Sequence, residues 1–183
     1  MIKVYLLGKT VPLVENKNVE KLALMAGNLY ENEEVPNLVN LNKKNSYKEV
    51  AESFDKFESL DRYYSSSFVT FIFGIEGLSL DAIALLKNVK PLSTGKIEGV
   101  YNNQNLMLRG DGASLIDFFN EACCSKYGNE VKDIADQMLE ICLCEAPNLF
   151  KDAGAPCTFG KCAKENSCEE KRQAKIKQII KTY

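Results

Sequence analysis

A mixed α/β fold of the α+β kind, a small sheet packed by helices, is predicted from three features of the sequence. Short β-branched apolar runs at Ile2 to Leu7 and Thr70 to Ile75 read as buried strands. Apolar residues recur at helical spacing through the second half of the chain, as in Leu115, Ile116, Phe119, Ala122 and Cys123. Asn102-Asn103 separates two further short segments over Val100 to Arg109, the pattern of a hairpin turn. The length of 183 residues suits one α/β domain over residues 1–150, followed by a cysteine-containing loop and a basic C-terminal helix over 151–183.

Taken in order, the first strand, Ile2 to Leu7, ends at Gly8 and Pro12. Asn18 caps a helix whose apolar positions Val19, Leu22, Ala23, Ala26, Leu29 and Tyr30 are expected to pack on that strand. A polar, asparagine-rich loop spans Asn32 to Lys44. Ser46-x-x-Glu49 is a capping box opening a helix with Tyr47, Val50, Phe54 and Phe57 on one face, and Ser65-Ser66-Ser67 reads as the turn before the central strand. After Gly77, Ser79 and Asp81 supply a helix N-terminus, and Leu80 to Leu86 is apolar nearly all round, so this helix is expected to be buried. Pro91 biases Lys90 away from helical geometry and sets the helix end. Val131, Ile134, Ala135, Met138 and Cys142 form the stripe of a last long helix, bounded by Pro147 and antiparallel to the one before it.

Composition removes several function classes. There is no histidine, so ordinary serine and cysteine hydrolases and histidine-ligated metal centres are excluded; chemistry must rest on carboxylates, lysines, tyrosines, thiols or a cofactor. The net charge of -2 gives no general attraction to DNA or an anionic membrane. No run of eighteen apolar residues offers a membrane span, and MIKVYLLGKTVPLV lacks the features of a secretory signal, so a cytoplasmic protein is expected. Of seven cysteines, Cys123, Cys124, Cys142 and Cys144 sit in helical patterns and are expected in the core.

Two clusters are candidate sites. Lys90, Ser93, Lys96 and Arg109 border the loop after the central helix, where they read either as solvated loop charges or as a site for the phosphate of a nucleotide or flavin. Cys157, Cys162 and Cys168 lie in a Gly- and Pro-containing segment at x4 and x5 spacing. They read either as reduced or redox-active thiols or as three ligands of a zinc or iron centre that needs a fourth donor. Lys171, Arg172, Lys175 and Lys177 around Ile176, Ile179 and Ile180 read as a helix docked on the domain or on a partner chain.

Three blocks resemble the flavin-dependent thymidylate synthases: IKVYLLGKT with the helix that follows, FIFGIEGLS, and SLIDFFNEACCSKYGNEVKDIADQMLEICLCEAPNLF, in the family's order. AGAPCTFGKC resembles the cysteine-containing extension of some clostridial-type members. The family's motif is an Arg-His-Arg triplet followed after two residues by Ser-x-Asn-Glu-x-Ser-x-Arg-Tyr. Counted without a gap from Ile75-Glu76-Gly77, the triplet falls on Asn88, Val89 and Lys90. The motif serine falls on Ser93 and its tyrosine on Tyr101, whereas Gly95, Lys96, Glu98 and Val100 replace Asn, Glu, Ser and Arg. The family's flavin-reaching histidine segment would lie near Asp61 to Phe68, which has no histidine. Its Asn-Ala-Arg falls on Asp111, Gly112 and Ala113, and a later basic position persists as Lys132.

The resemblance implies a thymidylate synthase-like fold shortened in its central helical region, since only a short stretch separates Tyr101 from the next helix. Lys90, Ser93, Lys96, Tyr101, Arg109 and Lys132 are the implied remnants of FAD and pyrimidine nucleotide binding, with no catalytic residue left. A lysine restores charge but not the planar two-pronged grip of arginine on phosphate, and Val89 or Ala113 restores neither. The expectation is a catalytically degenerate homologue serving as a binding or partner subunit. It would assemble as a homo-oligomer, a tetramer by resemblance, or as a hetero-oligomer with a full-length homologue. The alternative is an unorthodox enzyme converting dUMP to dTMP with FAD, NADPH and methylenetetrahydrofolate; a third reading makes the cysteine tail a metal-binding module.

Overall fold

Alternation along the central strand sets the architecture. In β2 (Thr70–Glu76), Phe71, Phe73 and Ile75 are buried while Ile72 and Gly74 are only partly covered and Glu76 is exposed, so one face is core and the other is not. The computed structural model describes residues 1–11, 18–30, 47–56 and 59–159. Within these, β1 (Lys3–Lys9), β2, β3 (Glu98–Asn102) and β4 (Asn105–Asp111) form an antiparallel sheet in the order β1-β2-β4-β3. The register pairs Tyr5 with Gly74, Gly74 with Met107, and Met107 with Val100, and a shift between Leu6 and Gly8 bulges β1.

Helices pack on the inner face, as the mixed α/β class requires. They are α1 (Glu20–Tyr30), α2 (Tyr47–Lys56), α3 (Ser59–Ser66), α4 (Leu80–Lys87), a single turn α5 (Lys90–Ser93), α6 (Gly112–Ala122), α7 (Asn129–Glu145) and the short α8 (Pro147–Phe150). The predicted stripes of α6 and α7 are the core: Leu115, Phe119, Ala122, Val131, Ile134, Ala135 and Met138 are all buried. Phe150 ties the layers together, its ring edge-on to Phe71 at 5.6 Å and to Phe119 at 5.9 Å. Ala153 and Ala155, past residue 150, are buried in the same core.

Several expectations are corrected. Asn18 does cap α1, its side chain accepting from the Glu20 N–H at 2.8 Å, but α1 packs chiefly on α3 and α2. β1 is covered instead by α7, whose longer apolar stripe reaches it and whose Glu145 pairs with Lys9. The region expected as one helix before the central strand contains two, α2 and α3. Ser65 and Ser66 end α3 and are buried, since Gly112 approaches so closely that a Cβ there would lie 2.6 Å from the Ser66 carbonyl oxygen. Helix α4 is not buried all round: Leu80 and Leu85 are exposed, because the helix lies along the side of the domain with only Ala82, Ile83 and Leu86 inward. It ends at Lys87, and Val89, in extended geometry, makes the break that Lys90 was expected to make; Lys90 and Pro91 begin α5. Cys123 and Cys142 are buried as expected, but Cys124 is half-buried and Cys144, off the stripe, is exposed. The loop over Asn32 to Lys44, Ser46 and Phe57 lie outside the described residues.

Glu20 makes one buried polar contact of consequence. Its carboxylate accepts from the backbone N–H of Asn148 at 2.6 Å, from the Asn148 side chain at 2.9 Å and from the Leu149 N–H at 3.3 Å, tying α1 to α8. Burial pushes the Glu20 carboxyl above its ordinary value, while the Asn148 side chain, the two N–H groups and Lys151 pull it back in part. The folded chain therefore holds this proton to higher pH than the unfolded chain. Its stabilising contribution is full below the unfolded value, about 4.3, and is lost as pH rises through the folded one.

Two measurements check this account. Phe150→Ala should lower unfolding stability by about 3–5 kcal/mol, read from a shifted urea midpoint at unchanged m-value. Glu20→Gln keeps a carbonyl acceptor but does not titrate, so its melting temperature relative to the native chain should rise as pH goes from about 4 to about 7. A flat or falling difference refutes the role assigned to Glu20.

Candidate functional site

The turn after β2 directs everything that follows it. Gly77 has φ +79°, and a Cβ there would meet the Met1 carbonyl oxygen at 2.9 Å, so only glycine suits the position. Leu78 N–H donates to the Gln104 carbonyl at 2.9 Å, tying the turn to the β3–β4 hairpin, which reverses at Asn103 with φ 51°. Ser79 then caps α4, accepting from the Ala82 N–H at 3.0 Å. Glu130, in the first turn of α7, accepts from both the Ser79 N–H and its hydroxyl at 2.7 Å. An open cleft of about 610 Å³ lies beside this clamp, with Glu130 and Asp133 as its charged lining residues and Ser79, Gln104 and Gln137 as polar ones. Its charge suits no phosphate.

The positions aligned with the Arg-His-Arg triplet are occupied structurally. Asn88 is the C-cap of α4, its N–H donating to the carbonyls of Leu85 and Leu86. Val89 is fully buried in the core. Lys90 is exposed and lines a second, smaller cleft of about 200 Å³ with Pro91, Lys96, Asp117, Asn120 and Glu121.

Only Lys90 and Lys96, with Ser93 next to them in sequence, come together among the six candidate binding residues. Ser93 is turned to its own helix turn, its hydroxyl donating to the Lys90 carbonyl at 3.1 Å. Lys96 pairs with Asp117 at 3.3 Å. Tyr101 sits under the Lys87 ammonium, 4.5 Å from its ring centroid, and burial raises its hydroxyl's pKa. Arg109 is on the opposite face of the sheet, which no helix covers among the described residues, paired with its cross-strand neighbour Glu98 at 3.2 Å. Lys132 pairs with Asp136 one turn along α7 at 3.1 Å. Of the tail cysteines, Cys157 lies in the 3-10 turn Pro156–Phe159, and Cys162 and Cys168 lie outside the described residues. Among the described residues no cluster of three or more histidine, cysteine or acidic side chains is placed to hold a metal ion.

The sequence reading missed the partners that define the smaller cleft. Asp117 and Glu121, one turn apart on α6, each bind one tyrosine and one lysine. Tyr63 donates to Asp117 at 2.8 Å beside Lys96, and Tyr127 donates to Glu121 at 2.7 Å beside Lys126 at 3.0 Å. The Tyr63 hydroxyl is pushed up to about 12, first by burial and then by the Asp117 carboxylate. The Tyr127 hydroxyl leads in holding Glu121 below its ordinary range, with Lys126 and Lys90 adding to the effect. The two carboxylates at i and i+4 were the available signal; Tyr63, 54 residues from Asp117 in sequence, was not visible from either.

What this cleft can do follows from its charges. Lys96 is paired with Asp117 and Lys90 acts on Glu121 through its field alone, so two carboxylates offset the two cations and the cleft presents no net positive field to a phosphate. Replacing Asp117→Asn together with Glu121→Gln should uncover Lys90, Lys96 and Lys126. Millimolar inorganic phosphate should then raise the melting temperature of the double variant and leave the native chain unchanged.

No family model matches the chain. It is similar in part to three flavin-dependent thymidylate synthases: that of Clostridium tetani, 35% identical over 66 residues, covering 36% of this chain and 26% of that protein; that of Geobacter sulfurreducens, 33% identical over 67 residues, 37% and 28%; and that of Nitratidesulfovibrio vulgaris, 43% identical over 44 residues, 24% and 18%. The matched stretches thus span less than a third of the relatives' own length, and what they support is a partial relationship to flavin-dependent thymidylate synthases within a mixed α/β fold.

Proposed function

We propose that this protein is a non-catalytic, thymidylate synthase-like subunit that works by assembling with other chains. The observation that carries this reading is the state of the aligned motif: a buried valine at position 89, a helix cap at position 88, and a cleft beside Lys90 whose cations face carboxylates. A flavin diphosphate needs several uncompensated donors converging on one face. Here Lys90 and Lys96 lie on the helix side of the sheet, Arg109 lies on the other side, and Lys132 is held by Asp136. These residues do not fit the cofactor. Hydride and methyl transfer need a flavin and a nucleotide held in one geometry, and losing that alignment removes most of the rate.

The core supports the same reading from the other direction. The apolar strand and both long helical stripes are intact, so a stable scaffold persists where the polar apparatus has gone. No helix of the described residues is long and apolar enough to cross a membrane.

The purified chain should be colourless, with no flavin absorbance near 450 nm after gel filtration. Added FAD or dUMP should not raise its melting temperature. A yellow protein that keeps its flavin through the column, or a dUMP-dependent shift, would overturn the proposal in favour of a flavin-dependent enzyme.

A further inference from the structure

The helices cover one face of the sheet, and no element among the described residues covers the other. Register sets Tyr5, Gly74, Met107 and Val100 in one row across this outer face. Tyr5, Met107 and Val100 are 42%, 48% and 71% exposed. Leu7, on the β1 bulge and itself 55% exposed, lies over Gly74: a Cβ there would sit 3.0–3.4 Å from the Leu7 side-chain carbons. Leu7 thus supplies the bulk that Gly74 lacks, and with the partly covered Ile72 the row becomes an even apolar platform. A flat apolar sheet face is the surface on which an amphipathic helix packs.

Residues 160–183 lie outside the described residues, but their sequence has the matching form. Ile176, Ile179, Ile180 and Tyr183 recur at i, i+3, i+4 and i+7, one side of a helix, while Lys171, Gln178 and Lys181 fall on the other. We infer that this C-terminal segment is the helix that covers the outer sheet face of its own chain, laying the isoleucine stripe on Leu7, Met107 and Val100. This goes beyond the assembly role proposed above and does not rest on it.

Size, tethering, charge and reach all favour this occupant. Four strands at about 4.8 Å spacing and five residues at about 3.3 Å rise give a face roughly 19 Å by 17 Å. One helix of about 12 residues, roughly 18 Å long and about 10 Å across, fits it. The resulting area of roughly 320 Å² is far below the about 800 Å² per partner of a standard interface, so a free protein would be held weakly. A tethered segment needs no such area, because its link to the domain keeps it at about millimolar effective concentration. Of the 23 cationic and 25 anionic side chains, residues 160–183 hold seven and three, so this segment is basic, the rest of the chain is acidic, and the two attract. On the face itself Lys3 and Arg109 balance Glu76 and Glu98, which disfavours a nucleic acid or an anionic membrane as occupant. Phe159, the last described residue, lies beside Gly154, which packs on Leu139 of α7, and α7 lies against the edge strand β1. From there residues 160–171 can extend about 40 Å, more than the roughly 30 Å around α7 and past the β1 edge.

Trypsin reports the docked state, because Lys175 and Lys177 flank Ile176. Cleavage there should be slow in the native chain. Ile176→Asp together with Ile180→Asp should speed it at least about tenfold, since cleavage tracks the undocked fraction. Val100→Lys on the sheet face should give a comparable increase; should that variant lose its native circular dichroism, Met107→Glu carries the same test. Leu80→Lys, at a position as exposed as Val100 but on α4, should leave the rate unchanged. Rates should not vary with protein concentration from about 1 to 200 μM, as a segment docked on its own chain requires. Native cleavage as fast as in the double variant, rates indifferent to both sheet-face substitutions, or an equal increase from Leu80→Lys overturns the inference. Protection that grows with concentration puts another copy on the face and overturns it too. A flavin-bearing chain with a protected C-terminal segment overturns the proposed function and leaves this inference standing. A flavin-free chain with an unprotected segment does the reverse.

Discussion

Strand β2 must satisfy two faces at once, and the rest of the molecule follows from how it does so. Phe71, Phe73 and Ile75 point to the helices, and Ile72, Gly74 and Glu76 point away. A slip of one residue against β1 or β4 would exchange these sets and put a glycine and a carboxylate where the core needs aromatic rings. Pairing with β1 on one side and β4 on the other holds the register, and the edge-on contacts of Phe71 and Phe119 with Phe150 hold it from the helix layer. The core alternation and the residues presented on the outer face are therefore one constraint seen from two sides.

What happens at the end of β2 decides the charge of the candidate site. Gly77 permits the reversal, Ser79 starts α4, and Glu130 clamps that start to α7 through two hydrogen bonds. With α4 fixed, its last turn brings Lys87 over Tyr101 and drives Val89 into the core. The extended backbone at Val89 then launches α5 with Lys90 pointing toward α6. Helix α6 meets it with Asp117 and Glu121, each already holding a tyrosine and a lysine. Placement that in another chain would gather cations around an anion here sets carboxylates among them, two of which pair Lys96 and Lys126.

Local signals in the sequence were read correctly where one short stretch contains the whole cause. The Asn18 and Ser79 caps, the hairpin over Val100 to Arg109, although it turns at Asn103-Gln104 rather than at Asn102-Asn103, and the apolar stripes of α6 and α7 all belong to this kind. Errors arose where tertiary context decides. Leu80 and Leu85 look like core residues by composition, yet α4 has only one covered side. Cys144 shares a segment with Cys142 but lies off its stripe. The candidate site suffered most: Lys96 and Arg109 read alike in sequence, but strand alternation and the hairpin put them on opposite sides of the sheet. Lys132 carried its own warning in Asp136 at i+4.

Both sides of the sheet bear on what kind of protein this is. A lysine cleft with no carboxylates would repel itself unless an anion were present, so its stability would be tied to a ligand. Asp117 and Glu121 remove that dependence: the folded state is complete without phosphate, and any anion entering must displace contacts already made. The outer face lacks such completion. Its apolar middle row stays partly in water at Tyr5, Val100 and Met107, and no helix among the described residues covers it. Free energy is thus available for covering the sheet face and is already spent within the cleft, which favours association over ligand binding as the use of this scaffold.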